Sequence, residues 1–295
     1  MEKEKIPWWL WPNLLSLDAP VVALAWAWLF AKAWGVVSVP WQLWLTLGSA
    51  VWIIYAADRI IDARRAAASD LRHQFHARYA KLFVAVMIGL AVWSLHSILF
   101  VLSKTVLQYG LVIMVFAVGY FVVACTQPRD GRPMIGKNAL AGLTFAYGAA
   151  AGIHAYSPVM GIGEMFFSVE VLIFAGLCVV NMTAIDFLNL EGEEEEDAAA
   201  VLNLATLLVA GVAMFIYMSS LKREVFFFHE GFYHEQYFYK PFAAGILVGA
   251  ACLFLLNQGR RRLDRKGYRV LVDLAVLAPV FVFWVMVSLS NSPMG

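Results

Sequence analysis

The sequence predicts an all-α, polytopic membrane protein, built as a bundle of nine transmembrane helices. Apolar residues make up 62% of the 295-residue chain and only 15% of the residues are charged, whereas a soluble domain is nearer half apolar and a quarter charged. The mean hydropathy is +0.71. Apolar segments of membrane-spanning length also recur along the whole chain. We therefore expect one integral domain over residues 1–295, in contact with a lipid bilayer, with no nucleic-acid partner.

The elements follow in order from these apolar segments. Residues 1–12 are interpreted as a charged tail followed by a tryptophan-rich interfacial anchor. Asp18 and Pro20 mark the start of the first helix, as a capping carboxylate and a proline in the first turn. A helix needs about 20 apolar residues to cross the hydrocarbon. The segments that qualify are 15–37, 40–58, 82–103, 105–126, 138–157, 164–186, 198–220, 241–258 and 271–291.

The distribution of positive charge predicts the orientation. With nine spans, 17 of the 22 Lys and Arg residues fall on the side of the N-terminus. Cytoplasmic loops carry an excess of Lys and Arg. We expect a cytoplasmic N-terminus and an external C-terminus, in the inner or plasma membrane if the cell is bacterial. The GxxxG spacings Gly148–Gly152 and Gly245–Gly249 favour close packing of helices inside the bundle.

A pair of carboxylates ends the second segment. Asp58 and Asp62 are four residues apart and therefore share one helix face. Such a pair can bind a hard cation such as Mg²⁺, which keeps some waters and adds phosphate oxygens of a substrate. The alternative is a solvated helix end, in which the aspartates pair with Arg59, Arg64 or Arg65.

A second acidic cluster follows the sixth segment. Asp186, Asn189 and Glu193 would form one stripe of oxygen ligands if the helix continued, although Gly192 could interrupt it. The next run, residues 194–197, favours a plainer interpretation, because acidic residues complement the dipole at a helix N-terminus. Both acidic clusters are predicted on the cytoplasmic side, where a metal would meet a phosphate-bearing lipid.

Three further features lie near these clusters. Lys137 opens the fifth segment and could direct a cation and helix amides at a phosphate, although a single lysine there also satisfies the positive-inside rule. His73 and His76 are three residues apart, and a solvated amphipathic stretch explains them better than half a metal site. The three cysteines are scattered in apolar runs and indicate packing residues.

The two clusters, their positions and the nine-segment count resemble the UbiA superfamily of intramembrane prenyltransferases. The last two aspartates of its first motif, N-D-x-x-D-x-x-x-D, fall on Asp58 and Asp62, but its leading Asn-Asp falls on Ile54 and Tyr55. Its second motif, D-x-x-D-x-E-G-D, matches at Asp186, Glu191 and Gly192, with Asn189 and Glu193 in place of two aspartates. Lys137 stands where the family has a lysine that contacts diphosphate.

The resemblance implies a UbiA-type bundle with Mg²⁺-dependent prenyltransferase activity. Its substrates would be a prenyl diphosphate and a lipophilic acceptor, such as an aromatic ring. It implies Asp58, Asp62 and Asp186 as catalytic residues and adds Asn189 and Glu193 as metal ligands. Lys137 would bind the diphosphate, with Arg65 and Arg132 as further candidate contacts. Trp52, Tyr55, Phe145 and Tyr147 are among the aromatic residues that could stabilise a carbocation.

Two alternatives accompany this expectation. The departures at Ile54 and Tyr55 leave open a divergent enzyme that binds one Mg²⁺, or a non-catalytic lipid-binding or transport protein on the same bundle. CDP-alcohol phosphotransferases also use paired acidic motifs, but their continuous D-G-x-x-A-R, followed by a closing D-x-x-x-D, is absent from the sequence.

Overall fold

The structure is a computed structural model that describes residues 6–65, 71–126, 135–157, 161–190, 192–226 and 233–290, and within these ranges it is helical with no strand. The helices are α1 (Trp11–Leu14), α2 (Asp18–Ala33), α3 (Trp41–Arg65), α4 (Leu71–Phe100), α5 (Lys104–Thr126), α6 (Ile135–His154), α7 (Ile162–Phe167), α8 (Val169–Asp186), α9 (Glu193–Phe226), α10 (Tyr233–Gly259) and α11 (Arg265–Ser290).

Seven of these helices are long and apolar enough to cross a membrane, namely α3, α4, α5, α8, α9, α10 and α11. An eighth span results if the segments Trp8–Leu14 and Asp18–Ala33, which are bent by 80° at a short break, are counted together. The multi-pass membrane fold predicted from composition is therefore confirmed. The fifth predicted segment, 138–157, corresponds to α6, which is not among the described helices that qualify by length and composition.

α6 lies inside the bundle and packs against α2, α3, α5 and α8. Its inner positions are small, since Ala146, Ala149 and Ala150 are fully buried. A Cβ added at Gly142 would lie 2.6 Å from the side chain of Val179 and 3.0 Å from its backbone nitrogen, so α6 and α8 approach closely there. Protein rather than lipid surrounds much of this helix, which explains why it needs less apolar surface than α4, α5 or α9.

Large apolar side chains divide between a core and a lipid-facing surface. Trp26, Phe30, Phe174 and Phe242 are fully buried, and the Trp26 and Phe174 rings stack with centroids 3.8 Å apart. The Trp26 indole N–H donates to the Val276 carbonyl at 2.9 Å. By contrast, α4, α5 and α9 expose many apolar side chains, including Ile88, Val92, Val115, Leu208 and Phe215. Exposed apolar side chains suit these helices because lipid tails are as apolar as the side chains themselves.

Side-chain contacts join the same ends of successive helices. At one end, Tyr120 of α5 contacts Asp58 of α3, and Glu195 of α9 contacts Arg260 after α10. At the opposite end, Tyr109 of α5 hydrogen-bonds His154 of α6 at 2.9 Å. We call the first of these the acidic end, because it carries both acidic clusters.

Two sequence-based expectations are wrong in detail. Asp18 begins α2, but its carboxylate does not cap the helix; it accepts a hydrogen bond from the Asn13 side chain at 2.8 Å. His76 is not solvated, because α4 begins at Leu71, eleven residues before the predicted apolar segment, and buries it completely. The His76 Nε2 lies 3.3 Å from the Ser16 hydroxyl.

Candidate functional site

Asp58 is held by a partner from another helix. It lies near the C-terminal end of α3, where its Oδ1 accepts a hydrogen bond from the Tyr120 hydroxyl of α5 at 2.8 Å. Tyr120 is buried, and Asp58 is partly buried. A carboxylate in an apolar bundle needs hydrogen bonds to offset its lost hydration. Tyr120 supplies one and fixes the orientation of the carboxylate.

Further charged and polar side chains surround this pair. Arg59 is partly buried and lies within electrostatic range of Asp18, Asp58 and Asp62. Tyr55 lies within electrostatic range of Asp18, Arg59 and Asp273. We call Asp18, Tyr55, Asp58, Arg59, Tyr120 and Asp273 the polar cluster. Ionisable residues within membrane helices are costly and usually functional.

The polar cluster draws on α11 as well, which the sequence-based prediction missed. Asn181 of α8 donates through Nδ2 to the Val272 carbonyl at 2.9 Å and to Asp273 Oδ1 at 3.3 Å. Asp273 and Asn181 both lie inside predicted apolar segments. An acidic residue inside such a segment is itself a signal of function. The contact between Asp273 and Asn181 could not be predicted, since the two residues are 92 apart in the sequence.

The second acidic cluster does not form one helical stripe. Asp186 is the last residue of α8 and is partly exposed. Asn189 ends a short 3₁₀ helix, and Glu193 opens α9 as an exposed residue. Gly192 adopts a φ of +66°, which favours glycine, and the chain turns there. The expectation of a continuous stripe is therefore wrong. The Asn189 side chain and Glu191 lie outside the described residues.

The acidic run after Gly192 has a structural role. Glu193, Glu194, Glu195 and Glu196 occupy the first turn of α9, as the helix-dipole interpretation predicts. Glu195 also accepts from Arg260 at 2.8 Å and from Arg261 at 3.3 Å, which ties α9 to the turn after α10.

The predicted diphosphate contacts are placed only in part. Lys137 lies in the first turn of α6, is partly exposed, and makes no hydrogen bond or ion pair with the described residues. Arg65 is the last residue of α3, and its side chain is outside the described part of the chain. Arg132 also lies outside the described residues. Close to Lys137, Asn138 of α6 contacts the Thr183 hydroxyl of α8 at 3.4 Å.

The predicted metal ligands fit Mg²⁺ only with substrate oxygens added. Among the described residues, no group of three or more His, Cys, Asp or Glu side chains is arranged to hold a metal ion. Mg²⁺ is usually bound by one or two carboxylates together with waters and substrate phosphates. Asp58 is compatible with such a site, because only its Oδ1 accepts a hydrogen bond from the described residues.

The four aromatic residues expected to stabilise a carbocation lie in different parts of the bundle. Tyr55 packs edge-on against Phe145 with centroids 6.1 Å apart, and Phe145 lies 6.0 Å from Phe174, so these rings run from the polar cluster into the core. Trp52 instead donates to the Leu15 carbonyl at 2.8 Å. The Tyr147 hydroxyl donates to the Phe166 carbonyl, in the half of α6 away from the acidic end. Tyr55 and Phe145 are therefore the two of the four candidates beside the polar cluster.

Comparison with known proteins finds no matching family model, no matching curated protein and no matching solved structure.

Proposed function

We propose that the protein is an intramembrane prenyltransferase of the UbiA type, with nine transmembrane helices and a cytoplasmic acidic end. It would transfer a prenyl group from a prenyl diphosphate to a lipophilic acceptor. The observation that carries this proposal is the polar cluster, which places three aspartates, an arginine and two tyrosines of α2, α3, α5 and α11 together in an otherwise apolar bundle.

The relation between α3 and α8 supports the pairing of the two acidic clusters. Tyr55 of α3 lies within electrostatic range of Cys178 of α8. Asp62 is seven residues beyond Tyr55, and Asp186 is eight residues beyond Cys178, both toward the acidic end. At about 1.5 Å of rise per residue, Asp62 and Asp186 stand roughly 10–12 Å further along their helices than Tyr55 and Cys178, respectively.

In the proposed reaction, the allylic C–O bond breaks and the diphosphate leaves with the electron pair. The allylic carbon then bonds to the acceptor, which releases a proton. Mg²⁺ held by Asp58, Asp62 and Asp186, with Asn189 and Glu193, would supply charge neutralisation of the diphosphate. A magnesium site lined partly by protein and partly by substrate is consistent with the carboxylates described above.

The chain's own residues have separate tasks in this reaction. Lys137 and the amides of the first turn of α6 would bind the diphosphate, with Arg65 and Arg132 as further cations. Tyr120 would keep the Asp58 carboxylate oriented. The faces of Tyr55 and Phe145 would stabilise the allylic cation and exclude water.

A second candidate function is a non-catalytic lipid-binding or transport protein on the same bundle. It is favoured by Ile54 and Tyr55, which stand where the first motif of the family has its leading Asn-Asp.

The test measures diphosphate release by the purified protein from allylic prenyl diphosphates of several lengths, with a hydrophobic aromatic acceptor and with or without Mg²⁺. We expect release to require Mg²⁺. Asp58→Asn and Asp186→Asn should each lower turnover about tenfold or more, at unchanged thermal stability. Asp197→Asn is the matched control, because Asp197 is exposed near the same end.

A Lys137→Gln variant tests the proposed diphosphate contact separately. A charge-assisted hydrogen bond contributes roughly 1.5–3 kcal/mol, so the loss of Lys137 should weaken diphosphate binding or turnover about tenfold or more. Lys81→Gln, at an exposed position of α4, is the control. A wild-type protein that binds prenyl diphosphate but never releases diphosphate would support the lipid-binding candidate instead.

A further inference from the structure

A groove runs between α10 and α11 on the lipid-facing side of the bundle. Its volume is about 540 Å³, within the range of ligand pockets. Its walls include Cys252 and Leu255 of α10 and Leu271 and Leu274 of α11. Leu255 is 67% exposed and Leu274 is 52% exposed, so the groove is open to its surroundings along one side.

The depth of the groove fits within one leaflet. Cys252 and Gly259, both in its wall, are seven residues apart, which is about 10 Å along a helix. The hydrocarbon core is about 30 Å thick, so one leaflet supplies about 15 Å. The groove thus extends from the acidic end of the bundle into the acyl-chain region of a single leaflet.

A cation stands at the mouth of the groove. Arg262 lines it, is exposed, and has no hydrogen bond or ion pair with any described residue. The two preceding arginines differ, since Arg260 and Arg261 are both engaged by Glu195. Lys266, in the first turn of α11, is also exposed and makes no contact of this kind with the described chain.

We propose that this groove binds an anionic phospholipid, with one acyl chain between α10 and α11 and the headgroup phosphate on Arg262. The apolar walls complement the chain, and the unengaged guanidinium complements the phosphate. Basic pockets between membrane helices bind anionic headgroups in this manner. A second copy of this chain is the other conceivable occupant, but the cationic mouth would repel its equivalent in a symmetric dimer. This site is independent of the proposed prenyltransferase activity.

The test uses the full-length protein in phosphatidylcholine nanodiscs with a phosphatidylglycerol probe that carries a photoactivatable group on one acyl chain. Mass spectrometry of the cross-linked peptides should place adducts on the groove walls of α10 and α11. Excess phosphatidylglycerol should compete with the probe, whereas inorganic phosphate and phosphatidylcholine should not.

Arg262→Gln should lower these adducts at least fivefold. Arg261→Gln is the matched control, because it removes the same charge from the same turn but leaves Arg262 in place. Gly259→Leu provides a second variant that fills the groove, since a Cβ at Gly259 meets nothing within 4 Å. It should lower the adducts to a similar extent, with an unchanged thermal midpoint.

Three results would each overturn the proposal. The first is equal labelling by a phosphatidylcholine probe, which would indicate ordinary lipid contact. The second is undiminished labelling in Arg262→Gln. The third is protein–protein cross-linking across the groove, which would assign the surface to a second copy of the chain.

Discussion

At the scale of single residues, the hydrogen bond from the Tyr120 hydroxyl to Asp58 fixes the orientation of one carboxylate of the first acidic pair. The sequence predicts a functional role for Asp58, because it stands four residues before another aspartate at the edge of an apolar segment. It does not predict one for Tyr120, because Tyr120 lies 62 residues away in the sequence. A tyrosine near the end of a membrane helix is also typical of the interfacial belt and carries no special signal.

Tyr120→Phe removes this hydrogen-bond donor and keeps the ring. We expect turnover by the prenyltransferase assay to fall about tenfold, because the Asp58 carboxylate loses its fixed orientation at a cost of about 1–3 kcal/mol. The Mg²⁺ concentration that gives half-maximal turnover should also rise. Tyr217→Phe is the control, because Tyr217 is partly buried and makes no hydrogen bond with the described residues through its side chain. This variant should leave turnover and its Mg²⁺ dependence unchanged. Identical kinetics in the two variants would remove Tyr120 from the site.

Arg59 is the cation of the polar cluster, with Asp18, Asp58 and Asp62 within its electrostatic range. Arg59→Met would leave these carboxylates without their compensating charge in a partly buried setting. Arg59 makes no direct ion pair with the described residues, so we expect the loss of unfolding free energy to lie within the range of about 0.5–3 kcal/mol that is typical of destabilising substitutions.

Thermal unfolding in detergent measures this loss. Arg59→Lys retains the charge and should recover part of the stability, whereas Arg78→Met, at an exposed position of α4, should change it little. An Arg59→Met protein as stable as the wild type would show that the cluster does not depend on this charge.

At the scale of helices, the contact between α10 and α11 depends on two glycines. A Cβ at Gly245 would lie 2.6 Å from the Pro279 carbonyl oxygen and 2.9 Å from its Cα, and a Cβ at Gly249 would lie 2.9 Å from the Pro279 ring. The GxxxG spacing therefore serves packing inside the bundle, as the sequence indicated. The sequence could not identify Pro279 as the partner, because a spacing shows which face approaches and not what it meets.

Gly245→Val should separate α10 from α11, since the obstructing atoms are backbone and cannot rotate away. Overpacking of this kind costs about 1–3 kcal/mol, and the rigid neighbour favours the upper part of that range. The measurement is the thermal midpoint in detergent. Gly211→Val is the control, because a Cβ at Gly211 meets nothing within 4 Å. Equal midpoints for the two variants would contradict the close contact.

Helix boundaries show where hydropathy loses its predictive value. The second predicted segment ends at residue 58, but α3 continues to Arg65, because a helix that leaves the membrane need not end there. α4 likewise begins at Leu71 rather than at residue 82, with a break in helical geometry at Tyr79. Charge marks the edge of the hydrocarbon, whereas the end of a helix depends on local backbone preferences that hydropathy does not contain.

At the scale of the whole molecule, each predicted apolar segment corresponds to a helix, but the sequence did not predict the neighbours. The stack of Trp26 on Phe174 and the Asn181–Asp273 contact join helices that are far apart along the chain. Hydropathy gives no direction around a helix that is apolar on every face. The packing of the helices therefore brings the residues of the polar cluster together. Among the residues in it or next to it, the motif predicted only Asp58 and Asp62.

The contacts at the two ends of α6 are consistent with the prediction of a ninth span, which remains to be tested. Asn138, near its start, contacts Thr183 near the end of α8, and His154, at its end, contacts Tyr109 near the start of α5. Because α5 and α8 both qualify as spans, α6 reaches from one end of the bundle to the other. Its 20 residues give about 30 Å, the thickness of the hydrocarbon core.

Cysteines placed at the two ends of α6 test whether it spans. Gly136 lies in the first turn of α6, and Gly161 lies seven residues beyond its last residue. Both are exposed, and a Cβ at either meets nothing within 4 Å. In a background without the three native cysteines, a membrane-impermeant maleimide should label position 136 only from the cytoplasmic face and position 161 only from the external face. Lys104→Cys and Thr126→Cys, at the two ends of α5, are the controls and should label from opposite faces. If positions 136 and 161 label from the same face, α6 does not cross the membrane, and the nine-span topology and the external C-terminus both fail.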